Sequence, residues 1–314
     1  MLNPLIWIAV FVLSLSVLIK ASDYFTSSAE KIGVFFGIPA FIIGATIVAF
    51  GTSLPELVTS LAAVFRNSSE IVAGNVIGSN IANIFLVLGL LAITTKKLKI
   101  TFNIIHIDLP FLIGSSFLLA LSVWDGLFDL FDTVLFLSAL TVFIWYTMTK
   151  REKPEKNHDE TENKKNTMVK PLLILAGSCL FIYLGAKFTI ESVIELAEIL
   201  TVKKEIIAVS AVALGTSLPE VMVSLSAARK GNSEMAVGNI LGSNIFNSFA
   251  VMGIPALFGT LVIPASILTF ALPVMIIATI LFYVICHDNE VSLWEGWMLI
   301  IFYVFFIGKL FSPL

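Results

Sequence analysis

The chain has 314 residues, of which 58% are hydrophobic and 13% are charged, and its formal net charge is −3. A soluble domain of this size needs more charge to cover its surface, so the composition excludes a water-soluble globular protein. The two cysteines, Cys179 and Cys286, both lie in apolar stretches, which excludes a disulfide framework and a Cys/His metal centre. The net charge gives no reason to expect a nucleic-acid partner.

Ten apolar stretches, each long enough to cross the hydrocarbon of a bilayer, predict ten transmembrane helices. These spans cover approximately 4–36, 40–66, 70–94, 104–123, 128–149, 169–200, 204–229, 234–260, 263–286 and 291–312. Spans 1 and 6 are longer than a bilayer requires, so we expect them to tilt or to extend into the interface. The sequence therefore predicts an all-α integral membrane protein embedded in a lipid bilayer.

Span 2 contains the block GTSLPE at 51–56. Pro55 has no amide hydrogen and Gly51 is a poor helix former, so we expect the helix to open and to free the carbonyls from Ala49 to Thr52. Free carbonyls at membrane depth are tolerated only where they face protein or line a watery cavity. Together with the carboxylate of Glu56 they would form an oxygen-rich cage, which suits a hard cation.

Span 3 contains a second block, GN-x-x-GSNI-x-N, at 74–83. Ser79 and Asn83 are four residues apart and therefore share one helix face, where they could add neutral oxygen ligands beside a carboxylate. Asn75 and Asn80 are candidates for hydrogen bonds between helices, outside the first layer of ligands. The glycines of the block would allow close helix packing.

Residues 150–168 form a charged stretch without apolar residues, which predicts a solvated linker that is too short to fold as a domain. The linker divides the chain into two five-span repeats at 1–149 and 169–314. Residues 42–93 align without a gap with 206–257, at an offset of 164, and about half of the positions are identical. Apolar helices resemble one another by chance, but shared Gly, Asn, Ser, Pro and Glu at fixed spacing indicate an internal repeat.

The repeat duplicates each candidate residue. Its second copy comprises the opening of span 7 from Ala213 to Pro219, the carboxylate of Glu220, the pair Ser243 and Asn247 on one face of span 8, and the outer residues Asn239 and Asn244. Two glutamates at membrane depth cost about 2.5–3.5 kcal/mol each and would repel each other. A bound divalent cation removes both penalties. An isolated intramembrane glutamate is also compatible with a protonated or lysine-paired structural residue, but the duplicated context favours an ion site.

Each half has an odd number of spans, so the second half enters the membrane from the opposite side. This is the inverted-topology repeat of secondary transporters, whose substrates bind where the repeats meet. If the N-terminus is outside, the connections on the inside hold 13 lysines and arginines and those on the outside hold 3. The positive-inside rule therefore predicts that both termini are outside.

The duplicated blocks and the two halves resemble the cation/calcium exchanger superfamily, and the prokaryotic sodium/calcium branch resembles the chain most. The resemblance implies ten helices, with helices 2, 3, 7 and 8 broken around four ion sites, and spans 1 and 6 sliding to alternate access. It implies a monomeric Na⁺/Ca²⁺ antiporter of a prokaryotic cell membrane, not an enzyme, which moves about three Na⁺ per Ca²⁺ and needs no cofactor.

The resemblance also implies individual ligand roles. Calcium would bind Glu56 and Glu220 with the carbonyls of Thr52 and Thr216. One sodium would bind the Ala49 carbonyl, Ser79, Ser217 and Glu56, and its mirror image would bind the Ala213 carbonyl, Ser243, Ser53 and Glu220. The middle site would fall to Asn83 and Asn247, with Pro55 and Pro219 shaping the two turns.

Part of the family has Asp at one of the two middle positions, whereas this chain has Asn at both. The site would then carry two negative charges, so that calcium leaves it neutral and three sodium ions leave it at +1. The departure leaves open the role of the middle site and any dependence on potassium.

Three other functions compete with sodium/calcium exchange. A proton/calcium antiporter on the same fold is the nearest, because buried glutamates can carry protons, but that branch typically has an acid where this chain has Gly78 and Gly242. A cation channel would need a continuous pore, and broken helices argue against it. An intramembrane hydrolase would need a base, and the three histidines lie outside both blocks.

Overall fold

A computed structural model of the chain describes residues 4–100, 108–149, 168–199 and 217–311. The described helices are α1 (Pro4–Phe36), α2 (Ala40–Thr52), α3 (Leu54–Phe65), α4 (Glu70–Thr95), α5 (Asp108–Ser122), α6 (Leu130–Thr149), α7 (Val169–Ile199), α8 (Leu218–Arg229), α9 (Ser233–Ala256), α10 (Ile267–Cys286) and α11 (Leu293–Phe311). Four short strands accompany them, namely β1 (Lys97–Lys99), β2 (Leu127–Phe128), β3 (Leu261–Val262) and β4 (Glu290–Ser292).

The described helices form a multi-pass membrane protein. Seven of them are long and apolar enough to cross a bilayer, or eight if α2 and α3 are counted as one bent span. Predicted spans 1 and 6 are long, as expected, with 33 residues in α1 and 31 in α7. Predicted spans 4 and 7 are described only in part, as α5 and α8, and the linker at 150–167 lies outside the described residues.

Helices α4 and α9 form the centre of the protein. In their most apolar windows 78% and 89% of the residues are buried, against 22% in α1. Glycines allow α9 to lie against the backbone of α2, since a Cβ atom added to Gly238 would lie 2.2 Å from the Phe41 carbonyl oxygen. A Cβ atom on Gly242 would lie 2.3 Å from the Ala45 carbonyl oxygen. The predicted close packing is therefore confirmed for these two glycines, and it is wrong for Gly78, where an added Cβ atom would meet nothing within 4 Å among the described residues.

The break predicted in span 2 lies at Ser53, between α2 and α3, where the helix axis bends by 40°. Ser53 has φ −87° and ψ 3°, a sparsely populated backbone region, and Pro55 follows in the first turn of α3. Ser217 has nearly the same conformation, φ −87° and ψ 0°, directly before α8, where Pro219 repeats the arrangement. Proline is favoured in a first helical turn, because the amide groups there have no partner within the helix.

The implied breaks in helices 3 and 8 are wrong. Each is one continuous span, α4 or α9, which widens into a π-helical segment at Asn83–Leu88 and at Asn247–Val251. The block GN-x-x-GSNI-x-N contains no proline, so every residue keeps its amide hydrogen and the helix adjusts without opening. Both π-segments begin at the corresponding asparagine of the two repeats, and such segments are frequent at functional sites.

The short strands join the two halves. β1 pairs antiparallel with β4, placing Lys97 opposite Ser292, and β2 pairs antiparallel with β3, placing Leu127 opposite Val262. An offset of 164 moves β1 onto β3 and β2 onto β4. β1 therefore pairs with the counterpart of β2, and β2 pairs with the counterpart of β1. Exchanging the two halves of the chain converts one strand pair into the other.

Candidate functional site

Glu56 and Glu220 lie in the first turns of α3 and α8, and both are fully buried. A helix N-terminus favours negative charge, because the backbone amides there point toward it. Both carboxyl oxygens of Glu56 and Oε2 of Glu220 have no hydrogen-bond partner among the described residues. The two carboxyl groups also repel each other electrostatically. Buried oxygens of this kind are costly unless a ligand binds them.

The turn between α2 and α3 reaches across to the second half. Ser53 Oγ donates a hydrogen bond to Glu220 Oε1 at 3.3 Å. Thr52 Oγ1 lies 3.2 Å from Asn239 Oδ1, to which it donates, and 3.4 Å from Ser243 Oγ. Ser217, the counterpart of Ser53, is buried, and its hydroxyl has no partner among the described residues.

Helices α4 and α9 bring a second group of polar side chains together beside the acids. Asn83 Nδ2 donates to Asn244 Oδ1 at 3.2 Å. Asn80 Nδ2 donates to the Asn244 carbonyl at 3.3 Å and to Ser248 Oγ at 3.1 Å. Asn83 Oδ1 and both amide atoms of Asn247 are buried without a partner among the described residues. These amide oxygens are therefore available to a ligand, as are the carboxylates.

The predicted release of backbone carbonyls is wrong for Ala49. Its carbonyl oxygen accepts the amide of Ser53 at 3.0 Å, because the helical pattern continues up to Ser53. Thr52 Oγ1, whose hydrogen is donated to Asn239, lies 3.3 Å from the same oxygen. Gly51 is the residue whose carbonyl loses its usual partner, since the amide four positions later would belong to Pro55. That carbonyl accepts a hydrogen bond from the Cys179 thiol of α7, with a sulfur-oxygen distance of 3.5 Å.

Asn75 and Asn239 each contact a helix that carries one of the two glutamates. Asn75 Nδ2 donates to Ser60 Oγ at 3.0 Å and to the Glu56 carbonyl at 3.1 Å. Asn239 Nδ2 donates to Ser224 Oγ at 2.9 Å. Each asparagine therefore fixes the helix that carries a buried glutamate.

Sequence reasoning missed the serines in these pairs. Ser60 and Ser224 are counterparts at the offset of 164, and both are fully buried. Their identity in the two halves was the signal that could have identified them. Ser79 is buried in α4, whereas Ala213 and Thr216 lie outside the described residues.

The site presents carboxylate, hydroxyl and amide oxygens. The described residues contain no group of three or more His, Cys, Asp or Glu that could hold a metal ion. Two carboxylates with neutral oxygens are a donor set for a hard cation that is bound reversibly, whereas soft or borderline transition metals prefer sulfur and nitrogen. This donor set suits Ca²⁺ or Na⁺.

Comparison with known proteins agrees with this chemistry. The family model described as sodium/calcium exchanger protein matches residues 6–149 and 170–311. The sodium/calcium exchanger MaX1 of Methanosarcina acetivorans is 34% identical over 96% of this chain and 97% of its own length. An uncharacterized membrane protein, MJ0091 of Methanocaldococcus jannaschii, is 33% identical over 96% of each chain.

Solved structures extend the likeness to the fold. A structure of the sodium-calcium exchanger NCX_Mj soaked with 10 mM Na⁺ and no Ca²⁺ matches with a TM-score of 0.86 at 30% sequence identity. The match covers 98% of this chain and 100% of the other.

Proposed function

Because this chain belongs to the sodium/calcium exchanger protein family, we propose that it is a secondary active antiporter, which exchanges Na⁺ for Ca²⁺ by alternating access. The observation that carries the proposal is the pair Glu56 and Glu220, two buried carboxylates from different halves whose oxygens are largely unpartnered among the described residues. A pair of negative charges is neutralised by one divalent cation or by two monovalent ones. Competition between the two ions for one pair of acids couples their movements.

We propose the following ligands. Calcium binds the carboxylates of Glu56 and Glu220 and the carbonyls of Thr52 and Thr216. One sodium binds Ser79, Ser217, Glu56 and the Ala49 carbonyl, the other binds Ser243, Ser53, Glu220 and the Ala213 carbonyl, and Asn83 and Asn247 serve the middle position. A sodium at the Ala49 carbonyl would use the lone pair that the amide of Ser53 leaves free, and would lie beside the Thr52 hydroxyl.

The repeat at the offset of 164 supports an inverted-topology arrangement of ten spans. Under this proposal residues 1–149 and 169–314 are the two repeats, 150–168 is the cytoplasmic linker, and both termini lie outside a prokaryotic cell membrane. The exchanged pairing of β1 with β4 and of β2 with β3 is what a two-fold axis in the membrane plane would produce. All proposed ligands come from one chain, so the protein would function as a monomer.

The charge of the site sets the electrical behaviour. With asparagine at 83 and 247, one Ca²⁺ leaves the two carboxylates neutral, whereas three Na⁺ leave the site at +1. We propose a stoichiometry of about three sodium ions per calcium ion, so that each cycle moves one net positive charge.

Calcium-45 uptake into proteoliposomes loaded with sodium tests the function. Parallel vesicles contain potassium or choline, and others carry a pH gradient without sodium. Sodium/calcium exchange requires internal sodium and accelerates when the membrane potential is negative inside. Uptake that depends on the pH gradient and not on sodium would replace the proposal with proton/calcium antiport, in which the same buried glutamates carry protons.

A further inference from the structure

A polar cluster joins α1 to the end of α8, and the two helices also pack against each other. Asp23 lies in α1, Ser226 in the last turn of α8, and Lys230 directly after it. Ser226 Oγ donates to Asp23 Oδ1 at 2.7 Å, and Lys230 Nζ lies 3.9 Å from the same oxygen. Lys230 Nζ also donates to the Asp23 carbonyl and, at 2.9 Å, to Ser27 Oγ.

The cluster is more than a surface ion pair. The side chains of Lys230 and Asp23 are 29% and 43% exposed, and Ser226 is buried. Lys230 is also attracted by the negative charge of Glu30, which lies further along α1. Lys230, at the end of α8, thus makes several bonds to α1. Relative movement of α1 and α8 must therefore break several of these bonds together.

The repeat lacks this cluster on its other side. The offset of 164 places Lys187 at the position of Asp23, Arg66 at the position of Lys230, and Ala62 at the position of Ser226. The same offset places Glu191 at the position of Ser27. Lys187 cannot replace the carboxylate of Asp23, and Ala62 has no hydroxyl to donate. Lys187 instead forms an ion pair within its own helix, with Glu191 at 3.8 Å.

This asymmetry affects access. In an inverted-repeat transporter the two access states are related by exchange of the halves, so two identical halves would give both states equal free energy. A set of bonds that one half forms, and that the different residues of the other half do not reproduce, makes the states unequal. We propose that Asp23, Ser226 and Lys230 form a latch, which stabilises the access state seen in this structure over its mirror-related state. The proposal rests on the alternating-access function proposed above.

The test measures apparent affinities for Na⁺ on both faces, in right-side-out and inside-out membrane vesicles. Lys230→Gln and Ser226→Ala should each raise the half-saturating concentration on one face and lower it on the other. We expect a change of about two- to fivefold, since partly exposed ion pairs contribute little and every 1.4 kcal/mol is tenfold. Lys20→Gln removes the charge of an exposed lysine of α1 outside the cluster; it is the matched control and should change neither face.

Only a shift between two access states moves the two affinities in opposite directions. Equal affinities in variant and wild type, or losses on both faces, would overturn the latch. A wild-type protein that fails to exchange calcium for sodium would instead contradict the proposed function. The two failures are therefore distinguishable.

A covalent version of the contact gives a second measurement. Asp23→Cys and Ser226→Cys are introduced together in an actively exchanging background of Cys179→Ser and Cys286→Ala. A disulfide between them should stop exchange, and a reducing agent should restore it. Full exchange by the crosslinked protein would mean that α1 and α8 do not separate during transport, which contradicts the latch.

Discussion

Ser53 Oγ lies 3.3 Å from Glu220 Oε1, and this hydrogen bond joins two residues that are 167 positions apart, in different halves of the chain. The serine is the residue at which α2 ends and the span bends, so the bend aims its hydroxyl out of its own helix. The other oxygen of Glu220 has no partner among the described residues. One half therefore orients a carboxylate of the other and leaves one oxygen of that carboxylate open to an ion.

Ser53→Ala should weaken sodium binding by about tenfold, because hydrogen bonds and ligand contacts to a charged group contribute ~1.5–3 kcal/mol. The measurement is the sodium concentration that half-saturates calcium exchange in proteoliposomes. Ser138→Ala is the control, because Ser138 is exposed and its hydroxyl bonds, among the described residues, only to the Val134 carbonyl of its own helix. An unchanged sodium dependence in Ser53→Ala would remove Ser53 from the site.

Replacement of either buried acid by its neutral isostere should abolish calcium exchange. Glu56→Gln and Glu220→Gln each remove one of the two charges that would balance a calcium ion, and a singly charged buried site holds a divalent cation poorly. The folded protein should keep or gain thermal stability, because the repulsion between the two carboxyl groups disappears.

Calcium-45 uptake and a melting curve of the purified protein are measured together for these variants. Glu70→Gln changes an exposed glutamate in the first turn of α4 and should retain exchange. Wild-type calcium flux in folded Glu220→Gln would exclude Glu220 as a calcium ligand.

Much of this fold could be predicted, because it follows from residue types that are recognisable in the sequence. The runs of apolar residues located the described helices closely, since a bilayer tolerates few interruptions. Pro55 marked the bend at Ser53, because proline cannot donate the amide hydrogen bond of a continuing helix. The identity of the halves identified Glu56 and Glu220 as one pair, because the same Gly/Pro-interrupted block surrounds each of them.

The features that the sequence did not predict depend on packing between segments that are distant in the chain. Helices α4 and α9 are continuous because every residue of the block keeps an amide hydrogen that can form a helical hydrogen bond. A pattern of small residues in the sequence does not distinguish a continuous helix from a broken one. The hydrogen bond from the Ser53 amide to the Ala49 carbonyl exists because the helix bends at Ser53 and not one turn earlier. The contact of Asp23 with Ser226 joins segments 203 residues apart and carries no repeat signal at all.

Gly242→Ala should destabilise the protein by about 3 kcal/mol, the upper end of the usual range for overpacking a tight core. The added Cβ atom would lie 2.3 Å from the carbonyl oxygen and 2.5 Å from the Cα atom of Ala45, so the backbone of α2 must move. Thermal unfolding in detergent measures the effect. Gly114→Ala, where a Cβ atom meets nothing within 4 Å among the described residues, should be neutral or slightly stabilising. Equal melting temperatures for the two variants would contradict the close contact of α9 with α2.

Asn247→Asp should move the net charge of the binding site from the sodium-loaded state to the calcium-loaded state. With two carboxylates the calcium-loaded site is neutral, so calcium/calcium self-exchange by the wild-type protein should not respond to membrane potential. A third carboxylate at position 247, where the amide is buried and unpartnered among the described residues, leaves the calcium-loaded site at −1 when it is ionised. Self-exchange should then depend on voltage, while three sodium ions leave the site neutral.

The measurement is calcium-45 self-exchange at potentials clamped with potassium and valinomycin, at a pH high enough to ionise the new acid. Asn67→Asp adds the same charge at an exposed position and should leave self-exchange independent of voltage. Voltage-dependent self-exchange already in the wild-type protein would mean that the calcium-loaded site is not neutral. That outcome would contradict the count of two ionised carboxylates. Calcium and two carboxylates together form a neutral complex, on which the membrane field does not act.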